Sequence, residues 1–404
     1  RINLTGNKTY MDMVLGYLES VKEGEDDEVY KKKADEIARE IRYDQKKSKL
    51  SELIQKANRQ LTFDGEYVET SKFVREIMDS LEKLNSINEG EAPGFVGSID
   101  FSKREEVMAA LEKSAEINSS EGLIKTGLEG FDDATGIGGF RRGDLINYAA
   151  RTGCYKSGLL IDIPILVPVV NEPYMYDEEK KPAIVRFSYE NTIEQDIGII
   201  YSRIFELTTG EKADMSEIDL DYAVNMITDH FESNGYYFFM ESFDPNNHGV
   251  YDLLDIIDSY GEMGYEVHLV ACDYLHQIAH NTMGERDDLK ILRTFEMVRN
   301  HCYPKGITFL TGHQLSTTTA EVVSEYKTTA CKHLIELAPY QSTKALNTKL
   351  DVEFMGNIFT HADGNKYWEV IIGKNRTCTS TPESAKHFYY NCLLYTSPSP
   401  RDDI

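Results

Sequence analysis

A short polar segment that follows an apolar run and ends in Lys-Ser has the residue types that bind phosphate. A strand, a loop and a Lys-Ser pair that opens a helix form the layout in which backbone N–H groups and the helix N-terminus hold phosphate oxygens. In that layout Lys156 meets the β- and γ-phosphates of a nucleotide, and the Ser157 hydroxyl binds Mg²⁺. The candidate cofactor-binding residues are Arg151, Thr152, Gly153, Cys154, Tyr155, Lys156 and Ser157.

This segment departs from the G-x-x-x-x-G-K-[ST] pattern, because Ala150 and Tyr155 stand where the pattern has glycine. A side chain at position 155 is expected to crowd the phosphate or to strain the turn, since only glycine takes left-handed conformations without steric cost. Pro164 and Pro168 are expected to kink the following helix or to end it early. Taken alone, the segment fits a chance Lys-Ser pair as well as a phosphate site.

Three more polar side chains end or directly follow apolar, strand-like segments. Glu190 is placed to act as the general base that polarises an attacking water. Asp273 is placed to hold Mg²⁺, usually through water. Gln314 is placed to sense a γ-phosphate. Each of the three has an ordinary alternative as a helix cap or a loop residue.

The last strand-like segment ends in two cations that alternate onto one face, Lys374 and Arg376. In a ring assembly such a pair can reach the nucleotide of a neighbouring subunit. A solvent-facing basic strand end is the alternative. Each of these signals is weak alone, but their order along one chain favours a site for ATP and Mg²⁺.

The segments that must position these residues alternate between strand and helix from about residue 121. This alternation predicts an α/β domain with a mostly parallel, twisted sheet. Ligands in such sheets bind at the carboxyl ends of the strands, so the polar residues are expected to converge there. Residues 1–120 are predicted to be helical, with a linker near 85–100. The predicted strands are 144–150, 183–189, 236–242, 266–274, 306–314, 357–363 and 366–376.

In this order the motifs resemble those of the RecA-like P-loop ATPase domain of DnaB-like replicative hexameric helicases, with a phage-encoded member of that family as one alternative. The resemblance covers about 121–392 and rests on the segments "TGLEGFDDATGIGGFRRGDLINYAARTGCYKS", "FSYENTIEQD", "CDYLHQI", "LTGHQLSTTT" and "EVIIGKNRT". It implies that Glu190 is the catalytic base and that Asp273 organises metal and water. It further implies that Gln314 senses phosphate and that Lys374 and Arg376 act in trans.

The same resemblance implies an ATP-dependent DNA helicase that works as a homohexamer on single-stranded DNA, with a primase and a helicase loader as partners. Arg286, Lys327 and Lys332 are then candidates for the channel that holds the DNA strand. One alternative is a recombinase-type RecA-like ATPase that binds DNA without unwinding it. Another is a catalytically degenerate DnaB-like structural or loader-binding protein. The tyrosine at position 155 supports this alternative.

Composition limits these possibilities. The 404 residues include 43 Lys and Arg against 68 Asp and Glu, a formal charge of −25, which excludes a broadly basic nucleic-acid coat and confines any DNA contact to a local patch or channel. The longest apolar run, 159–170, is too short to span a bilayer, so no membrane partner is expected. The six scattered cysteines contain no C-x-x-C pair, which favours a reducing, cytoplasmic setting.

Both ends of the chain look unnatural. The first residue is Arg1 rather than Met, so we expect the true start to be missing. Residues 393–404 resemble the translation of a sequencing adaptor and are expected to be an artefactual tail.

Overall fold

The computed structural model describes residues 98–278 and 286–391, apart from positions 118, 338, 342, 344, 377, 379 and 380, together with isolated helical positions between 47 and 81. The chain divides into two compact units, 1–107 and 108–404, and the second contains the sheet. The predicted tail and most of the predicted helical region before residue 98 lie outside the described residues.

Helices and strands alternate through this second unit, as the sequence predicts. The α-helices are α1 (Arg104–Ile117), α2 (Glu129–Ala134), α3 (Lys156–Val170), α4 (Ile193–Thr209), α5 (Leu220–Glu232), α6 (Val250–Glu262), α7 (Leu275–Ile278), α8 (Asp287–Cys302), α9 (Thr319–Tyr326), α10 (Ala330–Leu337) and α11 (Glu383–Lys386). The strands are β1 (Leu145–Ala150), β2 (Lys181–Ser188), β3 (Tyr237–Ser242), β4 (Tyr265–Asp273), β5 (Thr308–Gln314), β6 (Val352–Thr360), β7 (Lys366–Asn375) and β8 (His387–Asn391).

The eight strands form one sheet in the order β3-β2-β4-β5-β1-β6-β7-β8. The first six strands in this order, from β3 to β6, pair in parallel. Strands β7 and β8 continue the sheet beyond β6 as antiparallel strands. The predicted α/β fold with a mostly parallel sheet is therefore confirmed. Because β1, β2, β4 and β5 run in the same direction, their carboxyl ends lie together along one edge of the sheet, the edge formed by the strand ends.

Two apolar clusters cover the two faces of the sheet. Successive residues of β1 alternate between them: Leu145 and Ala149 belong to one cluster, and Ile146 and Tyr148 to the other. All six residues of β1 are buried, as expected for a central parallel strand covered on both faces. Within the described residues, no helix combines the length and the apolar character that crossing a bilayer requires.

The strand bounds near the end of the chain differ from the prediction. The strand predicted at 357–363 begins five residues earlier, at Val352, and forms an antiparallel hairpin with β7. Its first half carries the buried Glu353 and Gly356, residue types that disfavour a strand in a sequence pattern. The edge strand β8 was not predicted.

Of the two effects predicted for the prolines, a kink or an early end of the helix after the loop, the early end is wrong. Helix α3 continues through Pro164 and Pro168 to Val170. A proline at 164 leaves the carbonyl of Leu160 without its helical N–H donor. Arg186 of β2 supplies a replacement, because its Nη1 donates to the Leu160 carbonyl at 3.0 Å. A neighbouring strand thus provides the hydrogen bond that the sequence of the helix cannot.

Candidate nucleotide-binding site

Two residues of the loop between β1 and α3 have left-handed backbone conformations. Gly153 has φ +77°, and Tyr155, the N-cap of α3, has φ 64° and ψ 25°. A non-glycine residue in this conformation costs about 1–2 kcal/mol. The strained turn predicted for a side chain at position 155 is therefore observed.

The ring of Tyr155 extends along the first two turns of α3. It covers Gly158 so closely that a Cβ at position 158 would overlap the ring. The Tyr155 hydroxyl donates to the Asp162 carboxylate and accepts a hydrogen bond from Arg203 of α4. Trp368 packs against the Tyr155 ring edge-on, with ring centroids 5.2 Å apart.

Lys156 begins α3 and is 4% exposed. Its Nζ donates to the Arg151 carbonyl at 2.9 Å and lies 5.7 Å from the centroid of the Tyr274 ring. Burial lowers the pKa of Lys156, and the negative charges of Asp273 and Glu190 oppose that shift. The ammonium of the loop therefore interacts electrostatically with the two carboxylates that the sequence assigns to the same site.

The carboxylates Asp273 and Glu190 come from neighbouring strands. Ser188 at the end of β2 pairs with Asp273 at the end of β4, and Glu190 follows two residues beyond. Burial raises the pKa of Tyr274, and the carboxylates of Asp273 and Glu190 raise it further. The Tyr274 hydroxyl in turn lies 3.2 Å from the Ser157 hydroxyl. The ends of β1, β2 and β4 thus bring their polar groups together.

The oxygen atoms at this point suit a magnesium ion. Asp273 is fully buried, and burial raises its pKa while Arg186 and the Ser157 hydroxyl oppose the shift. Its Oδ1 has no hydrogen-bond partner among the described residues. A carboxylate and a hydroxyl oxygen beside a phosphate site are ligands that Mg²⁺ takes together with waters and substrate phosphates. The residues present therefore fit the ion that the loop motif implies.

Gln314 reaches the same loop from β5. It pairs with Ala150 in the sheet, and its Nε2 donates to the Thr152 hydroxyl at 2.6 Å. The amide is therefore in contact with the segment that would surround the phosphates.

A fully buried arginine that the sequence analysis did not select supports the site. Arg186 lies in the second half of β2, and its Nη2 is 2.7 Å from the Asp196 carboxylate and 3.4 Å from that of Asp273. A cation inside the apolar run "AIVRFSY" was the available signal, because a buried charge requires partners.

Lys374 and Arg376 do not join the cluster within one chain. Lys374 pairs with Glu353 of β6, which is level with the first half of β1, and its Nζ donates to the Asn347 carbonyl. Arg376 lies beyond the end of β7 and contacts Asp351 at 3.3 Å. Since Asp351 is bonded to the first residue of β1, Arg376 lies about 17 Å from the loop along the strand direction, and Lys374, level with Asn147, lies about 10 Å from it.

Three features define a RecA-like P-loop ATPase domain. They are the strand order, the loop with two left-handed residues after the central strand β1, and the carboxylates at adjacent strand ends. A model of the divergent DnaB-like ATPases matches residues 69–396, and the chain belongs to that family.

Two solved structures share this fold. One is an ATPase domain, which superposes with a TM-score of 0.50 and 14% identity, covering 72% of this chain and 95% of that one. The other is a structure of a DnaB-like replicative helicase and its interactions with primase, which superposes with a TM-score of 0.55 and 13% identity, covering 90% and 76%. A search of curated proteins found no match.

Proposed function

We propose that this protein is an ATP-dependent replicative DNA helicase that moves on single-stranded DNA as a homohexameric ring. The observation that carries the proposal is the convergence of Lys156, Ser157, Asp273, Glu190 and Gln314 at one edge of the sheet. Membership of the divergent DnaB-like ATPases supports the ATPase part of the proposal.

Each residue of this cluster has a defined role in the proposed hydrolysis. Lys156 and the backbone N–H groups of the loop bind the β- and γ-phosphates of ATP. Ser157 and Asp273 would hold Mg²⁺, which when bound neutralises charge on the β- and γ-phosphates. Glu190, exposed at the end of β2, orients and polarises the attacking water. Gln314, through its contact with the loop, responds to the presence of the γ-phosphate.

Lys374 and Arg376 act on the nucleotide of a neighbouring subunit in this proposal. Their positions about 10 Å (Lys374) and about 17 Å (Arg376) from their own loop along the strand direction support a role in trans, since a head-to-tail ring brings two different surfaces of adjacent subunits together. The side chain of Arg376 is 44% exposed, and its other contact is with the Thr348 carbonyl at 2.8 Å. It is therefore available to a second subunit.

The proposed DNA-binding channel includes Lys327, Lys332 and Arg286, which are all exposed. The segment after Gln314 forms α9, a short 3₁₀ helix at Lys327–Thr329 and α10. Phosphate binding by a few exposed cations is compatible with a chain of charge −25, because only the channel lining needs to be basic. A primase and a helicase loader remain proposed partners.

The function is tested by ATP hydrolysis with and without single-stranded DNA, together with unwinding of a forked duplex. We expect DNA-stimulated hydrolysis and strand separation by the wild-type protein, and loss of both in Lys156→Ala. Lys181→Ala is the matched control, because Lys181 begins β2 at the opposite edge of the sheet, and it should retain activity. Hydrolysis with strand exchange but no unwinding would favour a recombinase, and no nucleotide binding would favour a degenerate structural protein.

The trans role is tested by mixing two inactive variants. Lys156→Ala lacks the loop cation but keeps Arg376, and Arg376→Ala has the reverse defect. In a random equimolar ring, roughly a quarter of the interfaces combine an intact loop with an intact arginine, so mixing should restore hydrolysis to about that fraction. Mixtures that stay inactive would contradict a shared site.

A further inference from the structure

We propose that Tyr155 is a positioning residue that holds the phosphate-binding loop in its nucleotide-ready conformation, through a brace formed with Asp162 and Arg203. The inference rests on the proposed nucleotide-binding function and extends it. Tyr155 stands where the loop pattern has glycine, so its side chain does something that the pattern does not require.

The brace joins the loop to two helices. The Tyr155 hydroxyl donates to Asp162 in the second turn of α3 and accepts from Arg203 of α4. Arg203 also pairs with Asp162, with 3.1 Å between its Nε and Oδ1. The three groups therefore form a closed triangle in which a phenol bridges a partly buried ion pair. Charge-assisted hydrogen bonds of this kind are the stronger ones in proteins.

A second contact holds the same loop from the sheet. Trp368 of β7 packs against the Tyr155 ring, and its Nε1 donates to the Tyr148 hydroxyl at 2.6 Å. Tyr148 in turn donates to the Cys154 carbonyl at 3.0 Å. The residue before Tyr155 and the ring of Tyr155 are thus both fixed to one tryptophan.

The backbone of Tyr155 explains why a brace is needed. A left-handed tyrosine is unfavourable by itself, so the loop without additional contacts would leave this conformation part of the time. When only a fraction of a protein is in the binding-competent state, its apparent Kd equals the intrinsic Kd divided by that fraction. Saturating nucleotide then restores the bound conformation. The brace should therefore act mainly on Kd and KM and much less on kcat.

The brace also connects the loop to the segment that carries the proposed general base. Helix α4 begins at Ile193, three residues after Glu190, and supplies both Arg203 and the Asp196 that pairs with Arg186. The phosphate loop and the Glu190 segment are therefore attached to the same helix.

The experiment measures Kd for Mg·ATP by calorimetry, and KM and kcat, in the wild type and in Tyr155→Phe. The phenylalanine keeps the ring and removes only the bridging hydroxyl. We expect Kd and KM to rise by at least about fivefold while kcat falls less than twofold. Trp368 is the only tryptophan of the chain, so its fluorescence also reports the loop. The nucleotide-free emission should differ between the two proteins and should converge at saturating nucleotide.

Tyr260→Phe is the matched control. Tyr260 of α6 also donates its hydroxyl to a carboxylate, that of Glu241, but it packs on Phe239 in the apolar cluster on one face of the sheet. Loss of this hydroxyl should lower thermal stability without changing Kd. Arg203→Met removes the brace from the other side, and it should reproduce the rise in Kd even where Tyr155→Phe folds poorly.

Tyr155→Gly distinguishes a tyrosine that stabilises the loop from a tyrosine that the loop merely tolerates in place of glycine. Glycine takes the left-handed conformation without cost, so a merely tolerated tyrosine predicts that Tyr155→Gly binds Mg·ATP as tightly as the wild type or more tightly. A brace that does more than offset the cost of its own left-handed backbone predicts weaker binding, because glycine also admits other conformations and makes none of the contacts that select the nucleotide-ready one. Wild-type Kd values in Tyr155→Phe, Arg203→Met and Tyr155→Gly would overturn the inference alone. A wild-type protein that binds no nucleotide would overturn the proposed function together with it.

Discussion

Replacement of Arg186 by methionine should destabilise the fold and the candidate site together. Arg186 is fully buried and contacts the carboxylates of Asp196 and Asp273 and the Leu160 carbonyl that Pro164 leaves without a donor. Methionine fills a similar length but provides no hydrogen bond. Two buried carboxylates and one backbone carbonyl then lose their contact with the guanidinium, although Asp196 still accepts a hydrogen bond from Asn191.

The expected magnitude follows from these contacts. Removal of one partner from a buried ion pair costs about 3–5 kcal/mol of unfolding free energy. In a domain of this size each kcal/mol lowers Tm by about 2–4 °C, so we expect a decrease of about 10 °C.

The loss of stability should depend on pH. Burial already raises the pKa of Asp273, and loss of the opposing Arg186 raises it further. A carboxyl group whose folded pKa lies above its unfolded value destabilises the protein as pH rises. The deficit should be smaller at pH 5 than at pH 8.

The assay is thermal and denaturant unfolding at both pH values, combined with Mg·ATP binding. Arg142→Met is the matched control. Arg142 is also buried, pairs with Glu266 at 2.9 Å and donates to the Gly306 carbonyl, but it has no contact with Asp273. Both variants should lose stability, and only Arg186→Met should also lose nucleotide affinity. A loss below about 1 kcal/mol in Arg186→Met, or equal nucleotide affinity in the two variants, would refute this reasoning.

Three other measurements test separate parts of the structure. Burial raises the pKa of Glu353 to about 7 from 4.5. Its ionisation should therefore remove up to about 3 kcal/mol of stability as pH rises through this range. Glu353→Gln should flatten the profile of unfolding free energy against pH between pH 5 and pH 8. The double variant Lys327→Ala/Lys332→Ala should reduce the slope of log affinity for single-stranded DNA against log salt by about 1.4, and an unchanged slope would exclude phosphate contacts at both positions. Gly356→Ala places a Cβ where it overlaps the Tyr148 hydroxyl, so it should cost about 1–3 kcal/mol in unfolding experiments and weaken nucleotide binding, whereas wild-type values would show that this contact can relax.

The sequence was sufficient to predict the edge of the sheet at which the polar residues meet. Lys156, Asp273 and Gln314 each begin a helix or end a strand, and parallel strands bring those positions to one edge whatever the contacts elsewhere. Such a prediction needs only local strand patterns and the direction of the chain.

The supporting contacts could not be predicted in this way. The brace joins residues 48 positions apart, Tyr155 and Arg203, and Arg186 bonds to a carbonyl in another element. No local pattern specifies these partners, because they depend on how helices pack on the sheet. The same limitation explains the wrong expectation for α3, since the proline rule considers only the helix itself.

The most direct test of the nucleotide site is a structure of the assembled protein with Mg²⁺ and a non-hydrolysable ATP analogue. We expect the triphosphate against the backbone of 153–157, with Lys156 Nζ on the β- and γ-phosphates, Mg²⁺ between Ser157 and Asp273, and Arg376 of the partner subunit at the γ-phosphate. A nucleotide bound at another edge of the sheet, or Asp273 and Glu190 turned away from the phosphates, would contradict the account.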